Sequence, residues 1–337
     1  MSRLKVGVVG VGRIGRLHIE NIVSQVKELQ VVAASDVAEA IGPQRAWLEE
    51  TGVKHIYTDY RDLIADQEVE AVIVAVPTPL HGPVSIGAAK AGKHVFCEKP
   101  LDKNIEGSLA IVKACEEAGV KLQVGFNRRF DHNFKQVYDY VQAGAVGTPQ
   151  IIKITSRDPQ APAISYIKTS GGLFMDMMIH DFDMVRFLAG CDCEEIYASG
   201  AVLVDPQIGE AGDIDTAVVT MKMSNGALAV IDNSRQAVYG YDQRAEVFGS
   251  KGQAASKNDR PSTVELSTAD GESTDKIRYF FLDRYTQAFI DEFKGFAKAV
   301  AEDALPLVDG TDGVEALRMA YAAGESLKSG LPVKIVR

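Results

Sequence analysis

Apolar residues along this chain fall into two patterns, and the change from one to the other divides it. Up to about residue 124, short apolar runs alternate with segments of helical spacing. Leu4–Val9, residues 29–34, residues 71–76, His94–Cys97 and residues 121–124 read as strands, with a shorter one at His55–Tyr57. Between them Ile14, Leu17, His18 and Ile22 keep helical spacing, as do residues 44–50 and 83–91. Ile105–Ala118 is an amphipathic helix ended by Gly119. Alternation of this kind predicts a parallel sheet with helices on both faces.

The pattern changes after Gly125. A helix over residues 133–143, a strand over 151–156 and a helix over 173–188 lead to strands that follow one another closely: 195–204, Thr216–Met223, 227–233 and 244–248. Consecutive strands with short connections predict a largely antiparallel sheet. Two helices, 285–302 and 313–328, close the chain, the second stopped by Gly330 and Pro332. The Gly-, Ser-, Asp- and Thr-rich stretch 249–275 reads as turns and short strands, not as a linker. We expect an α/β domain over 1–124 and an α+β domain over 125–337.

Composition narrows the class. A length of 337 residues suits two domains, and 46% hydrophobic with 24% charged residues is ordinary for a globular protein. No apolar run approaches a membrane span, and the first strand begins too early to leave room for a signal peptide. The formal net charge of −10 argues against a nucleic-acid surface. Cys97, Cys115, Cys191 and Cys193 form no disulfide framework, and Cys191 and Cys193 lack partners for a zinc site. Reduced thiols in a cytoplasmic protein are the expectation.

The first chemical signal is Gly10-Val11-Gly12-Arg13-Ile14-Gly15, set between the first strand and the first helix. Gly10 permits a tight turn, Gly12 lets backbone approach a pyrophosphate, and Gly15 lets the helix pack close; the helix N-terminus offers free N–H groups to phosphates. Asp36 ends the second strand 21 residues after Gly15, near the spacing of an acid that binds ribose hydroxyls. A carboxylate repels a 2′-phosphate, and Val37-Ala38-Glu39-Ala40 offers no cation to hold one. NAD is therefore expected over NADP. Thr78 and His81, in the loop after a later strand, are expected to line the same cleft.

Two further groups carry candidate catalysis. Glu98-Lys99-Pro100 follows a strand whose carboxyl end faces the ligand crevice of a doubly wound sheet, so Lys99 is placed to reach bound nicotinamide and substrate. Downstream of Gly171-Gly172, Asp176, His180 and Asp183 stand at i, i+4 and i+7 on an otherwise apolar helix. A polar stripe there must find partners or line a polar cavity. A carboxylate beside an imidazole suits a general base; a satisfied buried histidine and a metal site are the competing readings. Lys99 nearby would oppose a metal ion.

Taken in order, Gly10-x-Gly12-x-x-Gly15, Glu98-Lys99-Pro100, Gly125-Phe126-Asn127-Arg128-Arg129-Phe130 and Gly171-Gly172-x-x-x-Asp176-x-x-x-His180 resemble the Gfo/Idh/MocA oxidoreductases over nearly the whole chain. Within that family the likeness is to bacterial inositol 2-dehydrogenases, on Ser156-Arg157-Asp158-Pro159, on the expected helix over 175–188 and on residues 233–242. The resemblance implies an N-terminal Rossmann domain and a C-terminal domain whose open sheet often mediates tetramer formation. It implies Lys99, Asp176 and His180 as the catalytic set, with no metal. It also implies NAD-linked oxidation of myo-inositol to the 2-keto product. Another inositol epimer or a pyranose is the nearest alternative, and a non-catalytic NAD-binding regulator a more distant one.

For the cofactor we expect Gly10, Gly12, Arg13, Ile14, Gly15, Asp36, Thr78, His81, Glu98 and Lys99. For the substrate we expect Lys99, Arg128, Asp158, Asp176, His180 and Tyr239, with Asp183 beside them. This mixture of donors and acceptors suits a neutral polyol; a phosphorylated sugar would want a denser cationic cluster.

Overall fold

The computed structural model describes residues 3–337. Its first part runs β1 (Leu4–Val9), α1 (Arg13–Gln25), β2 (Leu29–Ser35), α2 (Ala38–Glu50), β3 (His55–Tyr57), α3 (Tyr60–Ala65), β4 (Ala71–Val74), α4 (His81–Lys90), β5 (His94–Cys97), α5 (Ile105–Ala118) and β6 (Leu122–Val124). The strands form one sheet in the order β3-β2-β1-β4-β5-β6, and every pairing is parallel. Val6, Val8, Ile73, Val74 and Phe96 are fully buried, which is why these strands read as continuous apolar runs and not as alternating ones. Strand order reverses between β1 and β4, so a crevice opens at the carboxyl ends of these strands.

The second part runs α6 (His132–Gln142), β7 (Pro149–Arg157), α7 (Ile164–Ser170), α8 (Leu173–Asp176), α9 (Ile179–Ala189), β8 (Cys193–Ala201), α10 (Pro206–Glu210), β9 (Thr216–Met223), β10 (Leu228–Ser234), β11 (Asp242–Gly249) and β12 (Gly252–Ala255). A hairpin follows, β13 (Glu265–Thr268) with β14 (Gly271–Thr274), and then α11 (Phe281–Arg284), α12 (Thr286–Ala301), α13 (Gly310–Ser329) and β15 (Val333–Lys334). Seven strands make a sheet in the order β12-β11-β7-β10-β9-β8-β15, antiparallel except where β7 runs parallel to β10. Ala217, Val219, Met221 and Met223 of β9 are buried on one face, the side on which α9 packs against β7. Val218 of β9, Leu228 of β10 and Phe248 of β11 point out of the other face and are exposed.

Three expectations change here. The chain does not divide at residue 124: one compact unit holds residues up to 130 together with 287–314, and the other holds 131–286 with 315–337. Ile290, Phe293, Phe296 and Ala297 of α12 pack into the core of the first unit with Ile19, Ile22 and Phe96, a long-range return that no local pattern announces. The helix expected over 173–188 is two helices, broken at Met177 and Met178. The helix expected at 44–50 begins earlier, at Ala38, and carries Pro43 inside it.

In the second unit Asp131 caps α6, accepting from Asn133 N at 3.2 Å and Phe134 N at 3.1 Å. The same carboxylate binds the Arg284 guanidinium, with Nη2 2.9 Å from Oδ1, and both side chains are buried. Burial opposes the Arg284 charge, but Asp131, Tyr285 and Asp259 outweigh it and hold the guanidinium protonated. Replacing Arg284 by Met strands a buried carboxylate, and urea unfolding is expected to show a loss of about 3–5 kcal/mol.

Candidate active site

The glycine turn after β1 has a steric reason for two of its three glycines. Gly10 sits at φ +96°, and a Cβ there would lie 2.4 Å from the Ala75 carbonyl oxygen. A Cβ on Gly15 would lie 1.8 Å from the Gly10 carbonyl oxygen, so α1 packs against the turn as only glycine allows. Gly12, the N-cap of α1, faces open space: a Cβ there would have no atom within 4 Å, and Arg13 beside it is exposed. Asp36 ties the two turns together: Val11 N donates to Oδ2 and Val37 N to Oδ1, each at 2.8 Å. An uncrowded backbone, a helix N-terminus and an oriented carboxylate fit a dinucleotide. Ile14 and Thr78 are half-buried, Ile14 in the first turn of α1 and Thr78 after β4.

Glu98 and His81 depart from expectation: both turn inward. Glu98 Oε1 accepts from His18 Nε2 at 2.7 Å, and Oε2 accepts from Lys99 N at 3.3 Å. His18 is fully buried on α1, its ring edge-on to Phe293 with centroids 4.8 Å apart. Glu292, also fully buried, completes a cluster whose donor atoms lie within 4.8 Å of one another. Burial works against the Glu98 charge, but the His18 hydrogen bond and the charges of Lys99 and His81 keep its carboxyl below the ordinary value. Burial and then the Glu98 charge push Glu292 well above, which favours its neutral form. His81 is 1% exposed, with both ring nitrogens used on backbone carbonyls, so it has no hydrogen bond left for a cofactor. Lys99 is half-buried, and its peptide bond to Pro100 is cis.

In the second unit, Gly171 and Gly172 adopt φ +91° and +87° and deliver the chain into α8. Asp213 Oδ1 accepts from Leu173 N at 3.0 Å at the start of that helix, and a Cβ on Gly172 would meet it at 2.9 Å. Asp176, the last residue of α8, accepts from Tyr166 Oη at 2.7 Å and from Arg235 Nη1 at 3.3 Å. Arg235 Nη2 lies 3.6 Å from Asp213 Oδ2, so one guanidinium, 1% exposed, bridges acids at both ends of α8. The β9–β10 register explains the meeting: Ser234 pairs with Thr216, and Arg235 N goes on to donate to the Asp215 carbonyl at 2.8 Å. Two acids balance one buried cation, as burial requires.

His180 is half-buried in the first turn of α9. Asp183 is fully buried, as is Asp181, whose Oδ2 accepts from Asn233 Nδ2 at 3.0 Å. Tyr239 is exposed and lines a cavity with Arg157, Asp232 and Asn233. Its hydroxyl donates to Asp242 Oδ2 at 2.6 Å and accepts from Arg157 Nη1 at 3.1 Å, in a network with Asp232 on the outer face of the sheet. Asn233 and Ser156, by contrast, face α9, since side chains alternate along a strand. Asp158 extends the sheet by its backbone, donating to Ser234 O at 2.9 Å, and is half-buried. Arg128 is only 4% exposed, within the first unit.

Two family models match the chain: the oxidoreductase family with an NAD-binding Rossmann fold over residues 4–126, and the GFO/IDH/MocA C-terminal domain over 134–255. The chain belongs to the Gfo/Idh/MocA oxidoreductases. It is 49% identical to the oxidoreductase YrbE of Bacillus subtilis, over 99% of this chain and 97% of that one. It is 47% identical to the myo-inositol 2-dehydrogenase of Thermotoga maritima, over 98% of each. Among solved structures, the scyllo-inositol dehydrogenase of Lactobacillus casei with bound NAD(H) and scyllo-inositol superposes with a TM-score of 0.91 at 28% identity, over 99% of each chain.

As a Gfo/Idh/MocA oxidoreductase the chain uses NAD, which supplies the hydride acceptor when bound. Gly12, the first N–H groups of α1 and Asp36 would hold it. Sequence reading misses Arg235, Asp213, Tyr166, His18 and Glu292. Only the position of His18 on the apolar face of α1 carries a local signal.

Two outcomes are expected. Gly12→Ala meets no protein atom, so its thermal midpoint should match wild type, while NAD affinity falls at least about tenfold (1.4 kcal/mol) in a fluorescence titration. The second concerns Glu292. Its folded-state value is raised, so the folded protein keeps a proton that the unfolded chain loses above about 4.5, and wild-type stability declines as pH rises from there. Glu292→Gln needs no such proton. Its urea midpoint should be at least that of wild type at about pH 8, with the difference shrinking toward about pH 5. A midpoint lower at every pH would contradict a neutral Glu292.

Proposed function

We propose that this chain oxidises one ring hydroxyl of an inositol, myo-inositol before its epimers, to the ketone, with NAD⁺ as acceptor. The observation that carries the proposal is the end-to-end likeness to a myo-inositol 2-dehydrogenase in a chain that keeps Lys99, Asp176 and His180 together with the glycine turn and Asp36. Oxidation at carbon needs the hydroxyl proton removed as the hydride leaves. His180 takes that proton at a ring nitrogen, and Asp176, fixed by Tyr166 and Arg235, provides the negative charge that favours the resulting imidazolium. Lys99 donates a hydrogen bond to the reacting oxygen and stabilises the negative charge developing there. A lysine, an imidazole and a carboxylate offer both donors and acceptors, as the hydroxyls of a neutral polyol require. Asp36, with no cation in the four residues after it, favours NAD over NADP.

The outer face of the seven-stranded sheet exposes Ile151, Tyr197, Val218, Leu228 and Phe248. Self-association through this face is part of the proposal, and sedimentation analysis tests it.

Lys99→Met and His180→Asn are each expected to lower kcat by about 10²–10⁴-fold while NAD affinity stays at the wild-type level. Loss of NAD binding in a folded variant would contradict these roles. Rates of NADH formation with myo-inositol, scyllo-inositol, chiro-inositol and glucose test the substrate: the highest kcat/KM is expected with myo-inositol and NAD⁺. A preference for another polyol would move the substrate and leave the residue roles standing.

A further inference from the structure

His81 opens α4 and is buried in the first unit, near the carboxyl edge of the parallel sheet. Its Nδ1 lies 2.7 Å from the Pro100 carbonyl oxygen and its Nε2 lies 2.8 Å from the Val76 carbonyl oxygen. A carbonyl only accepts. A neutral imidazole carries one N–H, so it could serve one of these oxygens while turning a lone pair on the other. In a buried site that opposition is strongly unfavourable. Only the imidazolium donates at both ends.

The two carbonyls belong to the turns that leave β4 and β5, and Pro100 is the residue after Lys99. We propose that His81 is a positioning residue: as an imidazolium it clamps the turn after β4 to the Glu98-Lys99-Pro100 turn and so sets the backbone from which Lys99 acts. This rests on the role given to Lys99 above.

The groups around the ring suit the charge. Cys97 and Glu98 stand at the end of β5, Lys99 follows them, and Asp102 packs against Gly82. Burial opposes protonation, but the Cys97 sulfur and the two carbonyls outweigh it and raise the ring from 6.5 to about 9. The sign follows from that direction. The clamp's contribution is complete below about 6.5 and is lost as pH rises through about 9.

Long-range ¹H–¹⁵N spectra of the wild-type protein test the charge directly, with the His81 signals assigned by their absence from His81→Gln. Both ring nitrogens are expected to carry protons at neutral pH and to keep them until close to pH 9. A single neutral tautomer at neutral pH would overturn the clamp.

Kinetics test the positioning. The His81→Gln substitution is expected to lower kcat about tenfold or more with NAD affinity retained. His81→Asn, whose amide can still donate toward Pro100, should recover part of the loss. Wild-type kcat should fall as pH passes about 9, and both variants should lack that limb because an amide does not titrate. Variants with wild-type kcat and an unchanged alkaline limb would also overturn the proposal. The two readings fail separately. A wild-type protein that oxidises no polyol counts against the functional reading, whereas a neutral ring counts against the clamp.

Discussion

A carboxylate taken out of water stays charged only where donors and cations answer it, and Glu98 imposes that condition on the turn that carries Lys99. His18 answers from α1 with a 2.7 Å hydrogen bond. Glu292 answers in the opposite way, by remaining neutral, because two buried anions at this distance would not both persist. The residues that satisfy Glu98 come from α1 and α12, so the first helix and the returning segment 287–314 are needed at the same point as the Glu98-Lys99-Pro100 turn. This explains why a segment so far along the chain belongs with the parallel sheet. It supplies Phe293 and Phe296 to the core and an acid to the cluster.

The second unit solves the inverse problem. Arg235 is a buried cation, and Asp176 and Asp213 supply the balancing charge at the two ends of a four-residue helix. So short a helix has little stability of its own. The Asp213 cap at Leu173, the left-handed Gly171 and Gly172 and the Arg235 bridge hold it in place. Asp176 is thus presented by long-range partners. Helical spacing alone credits its position to a continuous helix that the structure breaks at Met177.

What the sequence discloses follows from this difference between local and distant causes. The strands of the parallel sheet, the glycine turn, Asp36 and the Gly119 end of α5 are set by neighbours a few residues away, and all are legible. The partners of Glu98 lie 80 and 194 residues from it, and Arg235 meets Asp176 across 59 residues; no spacing rule reaches so far. Tyr239 meets its partners for another reason. Which sheet face a residue joins depends on register and parity, and Tyr239 follows a strand whose outward positions build a separate Arg157–Asp232–Asp242 network. His81 reads as a cleft residue because its loop does; the structure spends both of its nitrogens on backbone.

The measurement that bears most directly on this account is a crystal structure of the protein with NAD and myo-inositol bound. The account predicts the pyrophosphate on the Gly12 turn and the adenosine ribose on Asp36. It also predicts one inositol hydroxyl oxygen within hydrogen-bond distance of both Lys99 Nζ and a His180 ring nitrogen. Inositol seated away from these two side chains, with the cofactor in place, would contradict it.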